Sequence, residues 1–99
     1  MLKAEKERIR QALRRYGEQG GKGRDPEEER LFGEIGAALR KMRREEPMQA
    51  RLVELRYLEQ RRAIEVMDAL YLGRGGASYR RMDIEALSTI AVELAKRGL

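Results

Sequence analysis

The sequence contains no cysteine, no histidine and no tryptophan, and only one phenylalanine and two prolines among 99 residues. Without cysteine there is no disulfide, no thiolate nucleophile and no cysteine zinc site; without histidine the commonest metal ligand and general base is also missing. Hydrolytic triads are excluded. Aliphatic hydroxyls are confined to Ser78, Ser88 and Thr89, within one short segment. Carboxylates are plentiful, but they lie in charge-dense helical stretches where a solvated face is the plain reading. The chain is therefore expected to be no enzyme, to bind no metal and to need no cofactor. No apolar run approaches the length of a membrane span, and the start, MLKAEKERIRQALRRYG, lacks the apolar core of a signal peptide. A cytoplasmic protein with no membrane partner is expected.

Hydrophobic residues make up 41% of the chain and charged residues 39%. The core must come from Leu, Ile, Val, Met and Ala, which suits packed helices in one small domain. A net charge of +5 favours an anionic partner. Residues 1–24 hold eight Lys or Arg against three acids, residues 25–46 five against seven, and the remainder nine against seven. Basic charge thus concentrates at the N-terminus. A second, smaller cluster is Arg74, Arg80 and Arg81, with no acid between Arg74 and Met82.

Helical spacing recurs along the whole chain. Leu2, Ile9, Leu13 and Tyr16 form a narrow apolar stripe in a basic N-terminal helix, too thin for a buried element; a solvated terminal helix, a dimer seam and a basic arm on DNA all fit it. Gly17 to Asp25, GEQGGKGRD, has the composition of a flexible linker. It is not a phosphate loop, because Lys22 is followed by glycine rather than Ser or Thr. The expected division is a helical extension and linker over 1–24 and a helical domain over 25–99. A second helix opens at DPEEE, where Asp25 caps and Pro26 suits the first position, and closes near Glu45 with RKMRR. Gly33 and Gly36 weaken it, which close approach by a neighbouring helix would explain. Pro47 begins a third helix, Met48 to Leu58, and residues 60–62 form a corner. A short fourth helix carries Ala63, Val66, Met67 and Leu70. A fifth, with Tyr79, Met82, Ala86, Ile90 and Leu94, runs to about Lys96. The fold class is all-α, with five helices.

Between the last two helices lies LYLGRGGASYRRM, residues 70–82. A dinucleotide fingerprint would need a preceding strand and a third glycine where Ser78 stands; both requirements fail. The alternative is the turn of a helix-turn-helix, spanning about 61–95. Gly73 permits a positive φ where the fourth helix ends, and Gly75 and Gly76 let backbone approach another surface. Arg74, Ser78, Arg80 and Arg81 then reach DNA backbone or base edges. A helical hairpin with solvated arginines has the same spacing.

The run from Ala50, ARLVELRYLEQRRAIEVMDALYLGRGGASYRRMDIEAL, resembles the helix-turn-helix of sigma factor region 4 and, more closely, the related domain of phage late-transcription regulators of the ArpU and RinA type. The likeness rests on LVELRYLE (Leu52 to Glu59), on EVMDALYL (Glu65 to Leu72) and on SYRRM followed by EAL, and covers the last half of the chain. From Leu72 to Ser78 is six residues where the family has five, so either Ala77 fills the apolar slot or the turn holds one extra residue. The resemblance implies a sequence-specific DNA-binding transcriptional regulator, of phage or prophage origin. Its DNA contacts would be Arg61, Arg62, Arg74, Ser78, Tyr79, Arg80 and Arg81, and its turn Gly73, Gly75 and Gly76. Double-stranded DNA is the partner implied, with RNA polymerase as a further one. Tyr79 also lies on the stripe that buries Met82 and Ala86, so a core role competes. A reading from another class is an oligomeric helical phage packaging component, similar to a small terminase subunit, assembling with nonspecific DNA affinity.

Overall fold

Five helices appear in the computed structural model, which describes residues 2–99. They are α1 (Lys3–Glu18), α2 (Pro26–Glu45), α3 (Pro47–Val53), α4 (Ala63–Ala69) and α5 (Ala77–Lys96), and the described residues contain no strand. The all-α, five-helix architecture agrees with the periodicity of the sequence. No helix among the described residues is long and apolar enough to cross a membrane.

The start of α2 follows its local signals: Asp25 accepts a hydrogen bond from the Glu28 N–H at 2.8 Å, with Pro26 in the first turn. Phe32, Ile35, Ala38, Leu39 and Met42 make its buried face. Pro47 starts α3 after a one-residue break, and α3 runs directly into a π-helical turn, Glu54–Leu58. There the Glu59 N–H donates to the Glu54 carbonyl five residues back, at 2.8 Å. The widened turn buries Leu55 and Tyr57, and Gln60, with a φ of 54°, swings the chain round the expected corner.

At the N-terminus the structure differs from the solvated helix that the thin stripe suggests. Ile9, Ala12 and Leu13 of α1 are buried in the common core, and the Tyr16 ring meets Phe32 edge-on at 5.5 Å. The physical reason is Gly17: a Cβ there would collide with the backbone of Leu58, so glycine alone lets α1 lie against the π-helical turn. Leu2, counted in the stripe, is exposed.

Nor is the segment after α1 a flexible linker. Gly20 and Gly21 take positive φ, and the Gly21 N–H closes on the Tyr16 carbonyl at 2.9 Å. The Gln19 amide then donates to the Lys22 carbonyl and to Glu28, while the Arg24 N–H donates to Glu28. These bonds stitch the turn to the first turn of α2. Inside α2, Gly36 is buried with the Tyr16 hydroxyl 3.2 Å from where its Cβ would be, so close approach does explain it. Gly33 faces open space, and no neighbour accounts for it.

α5 crosses the centre, with Ala86, Leu87 and Ile90 fully buried. It packs on α1, α2 and α3, whereas α4 rests chiefly on the π-helical turn and buries only Val66 within its span.

Candidate nucleic-acid interface

α4 ends without glycine. The Leu72 N–H bonds to the Met67 carbonyl at 2.9 Å, the closing bond of a Schellman turn. The residue in the left-handed conformation at that point is Tyr71, with a φ of 56°. Gly73, expected to supply the positive φ at the helix end, does have a φ of 75°, but two residues later. Leu72 drops back against the core, as its apolar character requires. Gly76 caps α5 with a φ of 86°, and the Arg80 guanidinium folds over it, 2.8 Å from where a Cβ would sit. Gly75 is exposed, with open space on its side-chain face.

The first turns of α5 divide cleanly. Tyr79, Asp83, Ala86 and Leu87 face inward; Ala77, Arg80, Arg81 and Ile84 face out, at the spacing of one helical face. Neither Arg80 nor Arg81 makes an ion pair among the described residues, so both charges are free. Ser78 is half-buried at the edge of this face. The other arginines are tied locally. Arg74 grips Asp68 with two bonds of 3.1 and 3.2 Å, Arg61 lies against Glu59 and Glu65, and Arg62 pairs with Glu65 at 3.3 Å. The Arg62 N–H and guanidinium both donate to Glu65 and hold its carboxyl below the usual range, which fixes the start of α4.

Tyr79 sits apart from the other candidates. It is only 8% exposed, its hydroxyl pushed up by burial and opposed by the Arg56 guanidinium. The helical stripe takes it into the core, where it cannot meet a base edge. It is a positioning residue of α5 at most.

Sequence reasoning missed a buried polar cluster directly behind this face. Asp83, 6% exposed, accepts from Arg10 Nη2 at 2.9 Å and from the Tyr57 hydroxyl; Arg10 Nε also donates to that hydroxyl at 3.1 Å. Arg14 lies 5.7 Å from the centre of the Tyr57 ring, within cation–π range. Burial, then Asp83, push the Tyr57 hydroxyl upward. For Arg10, burial opposes the charge, but the hydrogen bonds to Tyr57 and Asp83 prevail and its pKa rises. Three elements, α1, the π-helical turn and α5, are joined in one satisfied network. The available signal was an acid inside an apolar stripe: Asp83 lies four residues after Tyr79 and three before Ala86. Glu93 repeats the pattern near the other end of α5, where Lys41 meets it at 2.7 Å and Arg97 at 3.8 Å.

A groove of about 380 Å³ runs between α1, α2 and α5, floored by Ile9, Leu13, Ile35, Ile90 and Leu94. Among the described residues no group of three or more acidic, His or Cys side chains is arranged to hold a metal. No protein-family model, curated protein or solved structure matches the chain.

Proposed function

We propose that the chain is a sequence-specific DNA-binding transcriptional regulator, cytoplasmic and without catalytic activity, that reads duplex DNA through α4, the glycine turn and α5. The observation that carries this reading is the pair Arg80 and Arg81, two unpaired cations on the outward face of α5's first turns, backed by a rigid polar network. Unpaired arginines there suit phosphate oxygens or the O6 and N7 of guanine, and α5, held by α1, α2 and α3, would serve as the recognition helix. Arg74 and Ser78 flank them, and Arg61, Arg62 and Arg74 would reach phosphate by exchanging their present carboxylate partners for it. The likeness to sigma region 4 and to the ArpU and RinA regulators supports a phage or prophage origin, and RNA polymerase as second partner.

Binding to duplex DNA across a salt series tests this. Affinity should fall steeply as salt rises, and Arg80→Ala with Arg81→Ala should flatten the log–log slope by about two. No binding at low salt would sink the proposal.

A second reading, an assembling packaging component, is favoured by the apolar groove that exposed Leu99 helps to line. Mass measured over a dilution series discriminates: a ring-sized species with salt-sensitive but sequence-blind DNA affinity supports it, and a monomer that selects one sequence rules it out.

A further inference from the structure

Tyr71 is 93% exposed, more than any other large apolar or aromatic side chain among the described residues. A lone exposed aromatic is ordinary. What sets Tyr71 apart is its backbone. A φ of 56° belongs to the left-handed region, where glycine or asparagine is favoured and a bulky side chain is strained. The surroundings hold it there. Leu70 on one side is buried and Leu72 on the other packs on the core. The Leu72 N–H is bonded to the Met67 carbonyl, and the two-bond Arg74–Asp68 pair closes residues 68–74 into a loop. Tyr71 stands at the middle of that loop. It is two residues outside the α4 terminus and six before the start of the helix that displays Arg80 and Arg81. The fold thus keeps an aromatic ring in water, on a loop whose backbone is anchored on both sides, at a position where glycine would fit with less strain.

The geometry points to Tyr71 as a DNA-contacting residue, its ring covering an apolar edge of the duplex, a deoxyribose or a thymine methyl, next to the phosphates held by the arginines. This rests on the DNA-binding reading above and adds to it the contact that does not depend on charge. Aromatic rings on nucleic acid act through their faces and edges, so the ring matters and the hydroxyl does not. The loop acts as a mount. Its ends are anchored by Leu70, Leu72 and the Arg74–Asp68 pair, so the backbone that carries the ring is already in place when DNA arrives.

The test is fluorescence anisotropy on a labelled duplex of mixed sequence, and on duplexes selected by the wild-type chain, with thermal melting of each protein in parallel. Tyr71→Gly and Tyr71→Asn are both compatible with the left-handed backbone. Each should melt at or above the wild-type temperature and bind about tenfold more weakly. Tyr71→Phe should bind as wild type. The loss should persist at raised salt, where the effect of Arg80→Ala shrinks. If the wild type binds and both left-handed-compatible variants bind equally well, Tyr71 is no contact and the inference fails while the DNA reading stands. If Tyr71→Phe loses as much as Tyr71→Gly, the ring contact is wrong. If the wild type binds no duplex at low salt, the reading and the inference fall together.

Discussion

At the scale of single residues, the cluster of Arg10, Tyr57 and Asp83 has the sharpest consequences. Removing Asp83 strands a guanidinium and a hydroxyl that are largely enclosed, and stranding a buried partner destabilises more than the intact pair stabilises. Arg10 is a quarter exposed, which softens the penalty through solvent screening. Asp83→Ala should therefore lower unfolding free energy by about 2 kcal/mol in urea titration, and Tyr57→Phe by about 1 kcal/mol. Two glycines make a contrasting pair. Gly33→Ala fills open space inside a helix and should stabilise by up to about 1 kcal/mol. Gly17→Ala should destabilise, because the methyl meets the Leu58 carbonyl backbone, which cannot turn aside as a side chain can. Equal melting temperatures for the two variants would contradict the packing of α1. Neither outcome follows from the sequence, where Gly17 reads as the first residue of a linker and Gly33 as a glycine that a neighbouring helix would explain.

Among elements, α4 is the least anchored. It has seven residues, buries only Val66 within its span and leans mainly on the π-helical turn. Native-state hydrogen exchange should show its amides opening with far less protection than those of Leu87 to Ile90 in α5, and binding of duplex DNA should slow them. Equal protection in the two helices would count against this. What the sequence disclosed follows the range of the interaction involved. The start of α2 is written within four residues, Asp25 to Glu28, and was legible because a cap and its N–H are neighbours. The interior of α5 was legible in period but incomplete: Tyr79, Ala86 and Ile90 are buried and Met82 and Leu94 pack partly on the core, while Asp83 and Glu93 are buried beside them, since an acid enters the stripe only when a distant cation is there to meet it. Arg10 and Lys41 are 73 and 52 residues away from those acids, and no local rule reveals them. The same distance hid the docking of α1, whose apolar stripe is thin because π-turn backbone and a polar network complete its interface. The residues proposed for the interface divide likewise. Arg80 and Arg81 were visible from spacing and local charge, whereas Tyr71 was masked by three nearby glycines that turn chemistry credits with the left-handed position.

For the molecule as a whole, a radius of gyration of 13.0 Å equals what about 100 folded residues occupy. A basic arm reaching away from the body is therefore no part of this shape. Stability against acid rests on carboxylates held below their ordinary value of 4.5, among them Glu93 beside Lys41, Glu28 beside Gln19 and Arg24, and Glu65 beside Arg62. A depressed pKa stabilises above the ordinary value, and the benefit disappears as pH falls through the folded one. The urea midpoint should hold steady from neutrality to about pH 5 and then drop. In Glu93→Gln the midpoint should already be lower at neutrality and the acid drop shallower, and an unchanged acid profile would remove Glu93 from the account. Finally, the contact between Arg10 and Asp83 spans 73 residues of chain. On a ribosome α1 is made before the other four helices, yet the π-helical turn that it touches through Gly17 and the acid that receives Arg10 are made much later. Until Asp83 leaves the exit tunnel, the Arg10 guanidinium has only Glu7 and the Tyr57 hydroxyl to meet and lacks the carboxylate that ties it to α5. α1 therefore cannot complete its native contacts before α5 has been made.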